Sequence, residues 1–183
     1  MRGRGIPRVL LFVMALALAN SSAVLAQLNA SGPSVNLNAV INPRLAVAVS
    51  PGTVNFQLFP GGGVSRGDNP LTITTAWNLR AGTNNVSLFG YFSSAAAALT
   101  NGGSANIPSS RVRGSVNGGP FIAFTQNSPF GAGRSLRIFR QPIRRANRIG
   151  QRNDTLNLQI NTVGLLLPFG TYTGVLHIQA RAI

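Results

Sequence analysis

The sequence predicts an all-β protein, a β-sandwich of about eight or nine strands. Between Val35 and Ile183 the apolar residues recur mostly at every second position, and Gly, Pro and Asn punctuate the chain at short, regular intervals. No stretch sustains the i, i+3, i+4 recurrence of an amphipathic helix.

In chain order, residues 1–26 read as an export signal. Arg2, Arg4 and Arg8 form a positive n-region, Val9 to Ala19 is an apolar run, and Val24-Leu25-Ala26 is a small-residue cleavage pattern. Eleven apolar residues fall short of the roughly 20 that cross a bilayer as a helix, so a mature chain starting near Gln27 is expected. It would leave by a Sec-type route and be secreted, displayed at the cell surface or kept in the periplasm. The best later apolar run, Val163 to Phe169, is broken by Gly164 and Pro168, so a chain that is soluble or peripherally attached, and not transmembrane, is expected.

Residues 27–42 are rich in Asn and Ser, yet Val35, Leu37, Ala39 and Ile41 alternate, which fits an extra strand of the same sheet or one offered to a neighbour. Residues 43–183 then form a single sandwich domain. Arg44 to Ser50 puts Leu45, Val47 and Val49 on one face, Pro51-Gly52 turns the chain, and Val54, Phe56 and Leu58 line a second strand. A Gly-rich loop from Gly61 to Pro70 leads to a strand over Leu71 to Leu79, with Leu71, Ile73, Thr75, Trp77 and Leu79 on one face and Trp77 as a core anchor.

A turn at Ala81 to Asn85 introduces a strand over Val86 to Phe92. Ser93 to Ser110 is a long connection with at most one helical turn near Ala95 to Leu99. Asn117-Gly118 tolerates the positive φ of a type I′ turn and predicts a hairpin between Arg111 to Val116 and Phe121 to Phe124. Ser135 to Gln141 is a strand stopped by Pro142, and Thr155 to Asn161 and Tyr172 to Ala180 are two more.

The charge is one-sided in kind. All 16 basic residues are Arg, Asp68 and Asp154 are the only acids, and the net charge is +14. Without the three signal arginines, thirteen arginines face two acids, a net +11. Cys is absent, which removes a disulfide framework and thiolate metal sites.

Enzymatic chemistry is not expected. Paired-carboxylate hydrolysis has only Asp68 and Asp154 to draw on, and Asp68 sits in Gly67-Asp68-Asn69-Pro70, where a side chain bonding nearby backbone N–H groups is the ordinary turn device. His177 is the sole imidazole, and strand parity sends it outward while Asp154 shares the apolar face of Leu156, Leu158 and Ile160. No Gly-x-Ser-x-Gly elbow or phosphate-binding loop is present, and too few ligands exist for zinc, so neither a small-molecule substrate nor a cofactor is inferred.

One segment has chemical weight: Arg134, Arg137, Arg140, Arg144, Arg145, Arg148 and Arg152 are seven arginines within nineteen residues. Guanidinium forks suit phosphate, sulfate and carboxylate, so an anionic polymer is the expected partner if the cluster binds; a solvated face in a chain without Lys is the plainer alternative. Neither tyrosine lies within the segment, nor does Trp77, which weakens a nucleic-acid reading. Ten of the thirteen mature arginines follow Ser110, which predicts a positive field concentrated on one side.

The ending Pro168-Phe169-Gly170-Thr171-Tyr172-Thr173-Gly174-Val175-Leu176-His177-Ile178 resembles the last strand of spore-coat-U-like and chaperone-usher pilin-type surface subunits of bacteria. The resemblance covers about a dozen residues; Ala182 stands where those pilins carry an aromatic residue, and their disulfide has no counterpart. It implies an immunoglobulin-like sandwich that builds coats or fibres by strand exchange. Two functions are therefore expected in competition: a secreted structural subunit that self-associates through edge strands, and a monomeric module that docks on polysaccharide or another anionic polymer through the Arg-rich loop.

Overall fold

The computed structural model describes residues 44–59, 61–103 and 105–183. The expected signal at 1–26 and the alternating segment 27–42 lie outside them. The described chain belongs to one compact unit, Ile41–Ile183, and is all-β.

Eleven strands occur in the order β1 (Arg44–Ser50), β2 (Val64–Arg66), β3 (Leu71–Asn78), β4 (Asn85–Tyr91), β5 (Leu99–Thr100), β6 (Asn106–Ile107), β7 (Val112–Val116), β8 (Ile122–Ala123), β9 (Ser135–Pro142), β10 (Ile149–Asn161) and β11 (His177–Ala182). Three of these are two-residue pairs. Among the eleven, β2 lies inside the segment expected to be a Gly-rich loop, and the strand expected over 121–124 is only β8.

A six-stranded sheet runs β1-β3-β10-β7-β8, with β2 pairing the far end of β10, and a three-stranded sheet runs β11-β4-β9. Both are antiparallel. From β3 onward the main strands alternate between the sheets, apart from the β7–β8 hairpin, so the inner faces close one core. Ile73, Val86, Leu88, Ile107, Phe124 and Leu156 are fully enclosed there.

The period-two patterns become inner faces. On β3 Leu71, Ile73, Thr75 and Trp77 are buried while Thr72 is exposed, and on β10 Leu156, Leu158 and Ile160 are buried. Trp77 lies against Gly150, where a Cβ would come within 2.9 Å of the indole, and donates its Nε1–H to the carbonyl of Asn147 at 2.9 Å. The Asn117-Gly118 turn has φ of 50° and 76° and is closed by Gly119 N–H donating to Val116 O at 2.9 Å, as expected for a type I′ hairpin.

The expected strand over 54–58 is corrected. Val54, Phe56 and Leu58 do pack on the core, but their segment is no strand: it makes one bridge, Phe56 to Gly67, because Asp68 takes the Asn55 N–H and amide at 2.9 Å each. Asp68 thus bonds its own turn at Asn69, as expected, and in addition ties that turn to the 54–58 segment. Within the expected limit of at most one, no helical turn forms at 95–99; the long connection carries the β5–β6 pair and a short 3-10 turn at Ser109–Arg111.

The last strand starts at His177, five residues later than expected. Before it, Thr173 exchanges backbone hydrogen bonds with Thr100, and Gly174 passes so close to Ala98 that a Cβ would meet its carbonyl oxygen at 2.0 Å. That close crossing holds residues 172–176 on the 98–100 segment. Conversely, β10 begins at Ile149, six residues earlier than expected, and carries Arg152 into the sheet.

Candidate functional site on the three-stranded sheet

The outer face of β11-β4-β9 is a small grid. Register places Arg181, Ser87 and Arg140 in one row, Gln179, Phe89 and Arg137 in the next, and His177, Tyr91 and Ser135 in the third. Arg137 and Arg140 are three apart and would face opposite ways in a regular strand. A bulge at Ile138, opposite the Leu88/Phe89 step, restores them to one side, and both are exposed.

Residues 125–130 fold over part of this face. Gln126 bridges to Ser135, and its side-chain oxygen accepts from Arg137 N–H at 2.9 Å. Between this segment and the sheet lies an open cleft of about 560 Å³, bounded by Ser87, Phe89, Arg137 and Arg181 on the sheet side and by Thr125 to Pro129 above. Its floor is aromatic, its charged wall is two guanidinium groups, and the rest offers hydroxyl and amide groups.

An aromatic stack adjoins the cleft. Phe130 lies parallel to Tyr91 with ring centroids 4.1 Å apart, Tyr91 stacks on His177 at 5.0 Å, and Phe89 meets Phe130 edge-on at 5.5 Å. Both faces of Tyr91 are therefore occupied within the chain. A base-stacking platform needs a free ring face, so the stack rigidifies the site instead of reading nucleobases. No sequence pattern pointed to this assembly, because Phe89, Phe130 and His177 come from separate segments.

The seven arginines of the 134–152 segment separate into different environments. Arg134 donates from Nε to the carbonyl of Phe130 and from Nη1 to that of Ser93, which pins the 130–133 turn beside β4. Arg152 faces inward over the Phe139 ring at 4.7 Å and binds both carboxylate oxygens of Asp154, with Nε at 2.8 and 2.9 Å. This is the only ion pair among the described residues. Asp154 in turn accepts from Asn117 Nδ2 at 2.8 Å, and its hydrogen bond raises Arg152 above the usual guanidinium pKa.

Arg137 and Arg140 stand on the outer grid, joined by Arg181, which the sequence segment does not contain. Arg144 and Arg145 are exposed on the 143–148 loop, and Arg148 is half-buried at its end. The loop's shape rests on Asn147, whose Oδ1 accepts from Arg144 N–H at 2.6 Å and whose Nδ2 donates to Pro142 O at 3.0 Å. The one-sided field is also corrected: Arg66 and Arg113 flank Gln159 on the outer face of the opposite sheet, because a chain that alternates between sheets distributes sequence neighbours to both.

His177 reaches Ser93 Oγ at 3.1 Å through Nε2. Neither acid completes a triad: Asp154 is on the inner face of the other sheet, bound to Arg152, and Asp68 is held by Asn55. Among the described residues no three His, Asp or Glu side chains gather as metal ligands, and no helix is long and apolar enough to cross a membrane.

No protein-family model matches the chain, and no curated protein matches it significantly.

Proposed function

We propose that the protein is an exported, non-enzymatic β-sandwich that binds an anionic polysaccharide on the outer face of its three-stranded sheet. The observation that carries this is the convergence of Arg137, Arg140 and Arg181 around Phe89 and Ser87, with no Asp or Glu side chain lining the cleft. Adjacent strands are about 5 Å apart, so guanidinium groups on β9 and β11 can address charges roughly 10 Å apart along a polymer. Phe89 offers apolar surface to a sugar ring while the Ser, Thr, Asn and Gln groups of the cleft exchange hydrogen bonds with its hydroxyls.

Heparin and polygalacturonate serve as probes. The variant Arg137→Gln/Arg140→Gln/Arg181→Gln is expected to elute from heparin at markedly lower salt and to flatten the salt slope, each lost contact lowering the slope by about one. Arg80→Gln, an exposed arginine away from the grid, is the control. Equal losses per charge removed, about a third of the triple variant's loss from Arg80→Gln alone, would show that binding follows net charge and would end the site reading.

A second reading, strand-edge assembly into a surface structure of the pilin or spore-coat kind, is favoured by β1. It ends the six-stranded sheet and, after Arg44, carries Leu-Ala-Val-Ala-Val-Ser, with no charged side chain to discourage pairing.

A further inference from the structure

The pole of the sandwich opposite the 143–148 loop exposes apolar side chains on two neighbouring loops. Leu166 is 99% and Phe169 94% exposed, with Phe59 at 56% and Val163 at 54%. These loops are built, not frayed. Thr162 N–H donates to Gly63 O at 2.8 Å, Leu165 N–H to Thr162 O at 3.0 Å, and Tyr172 Oη–H to Pro168 O at 3.0 Å. Leu165 and Leu167 turn back against the core, so the alternation that buries them drives Leu166 outward.

Large apolar side chains grouped at one pole, with Phe59 and Leu166 lining a common open cleft, form the kind of exposed patch that marks an interaction site. We propose that this pole docks on a lipid bilayer with anionic headgroups, with Leu166 and Phe169 entering the interface. Two features select a bilayer. Leu166 and Phe169 stand almost fully in solvent on their loop, which a fluid interface accepts without a matching surface, whereas a protein partner needs a complementary relief. Cationic groups also lie beside the base on the six-stranded sheet's side: Arg111 donates to Val163 O at 3.1 Å, and Arg66 and Arg113 flank Gln159 near the end of β10. The one exposed acid among the described residues, Asp68, is held by Asn55. Apolar insertion beside basic side chains is the two-signal arrangement that gives stable but reversible attachment, and it needs no spanning helix.

The test is co-sedimentation with vesicles of equal parts phosphatidylcholine and phosphatidylglycerol, set against pure phosphatidylcholine. Binding is expected to the mixed vesicles and to fall with salt. Leu166→Ser/Phe169→Ser should weaken it about tenfold or more while leaving the melting temperature in place, since both side chains already meet water. Arg66→Gln/Arg113→Gln should weaken it too and reduce its salt dependence. Phe169→Trp should gain a blue-shifted emission component only with the mixed vesicles. Three results would each overturn the proposal: no binding by the parent, equal binding by the serine variant, or a concentration-dependent dimer without lipid that the serine variant abolishes. The last would assign the pole to a second copy of the chain.

Discussion

At the residue scale, the side chains that matter most each connect two elements. Trp77 fills the space over Gly150 and bonds Asn147, so it joins β3, β10 and the loop between the sheets. Trp77→Ala is expected to cost about 3–5 kcal/mol in chemical denaturation, the usual loss for a buried aromatic. A native emission maximum already at the solvent-exposed position would contradict the packing. Asp68 is held below the ordinary carboxylate pKa by the Asn55 side-chain amide and then by the Asn55 N–H. A depressed folded pKa stabilises above the unfolded value, near 3.9, and that contribution disappears as pH falls through the lower folded value. The stability gap between the parent and Asp68→Asn should therefore be steady near neutrality and close below about pH 4. A gap independent of pH would mean that the carboxylate charge contributes nothing to the tie.

At the scale of elements, the bulge in β9 and the clamp in the 143–148 loop decide which arginines point outward. The loop depends on Asn147 and not on its guanidinium groups. Arg144→Gln/Arg145→Gln/Arg148→Gln should leave the melting temperature nearly unchanged, whereas Asn147→Ala should lose about 1–2 kcal/mol as two hydrogen bonds go. If the arginine variant unfolds instead, those side chains hold the loop. The same variant should lose less heparin affinity than the Arg137/Arg140/Arg181 variant, since the loop offers charge without a cleft.

For the whole molecule, the distribution of charge and apolar surface sets the modes of association. Arginines on both outer faces predict broad, salt-sensitive attraction to polyanions, with the cleft adding preference on top. Strand-edge assembly has a separate signature. Removing residues 27–42 should change oligomer size in size-exclusion chromatography more than it changes the melting temperature if that segment donates a strand, because the core built by the described residues stays in place. A large drop in melting temperature at constant oligomer size would make that segment an ordinary internal strand.

The all-β class, the inward faces of β3 and β10, the Asn117-Gly118 turn, the buried place of Trp77, the inward side of Asp154 and the outward side of His177 were legible in the sequence; that β10 and β11 lie in different sheets, instead of forming the hairpin their adjacency suggests, was not. The legible features rest on local rules, side-chain alternation and turn chemistry, that a single strand or turn obeys wherever it lies. Only the tertiary structure decided that the 54–58 segment gives its hydrogen bonds to Asp68, and that Arg134 and Arg152 serve internal acceptors. It alone brought Arg181 beside Arg137 and Arg140. A bulge shifts parity without a mark in the composition, and strand pairing joins residues far apart in the chain, so the partners of an arginine are set by the sheet it lands on and not by its neighbours in sequence.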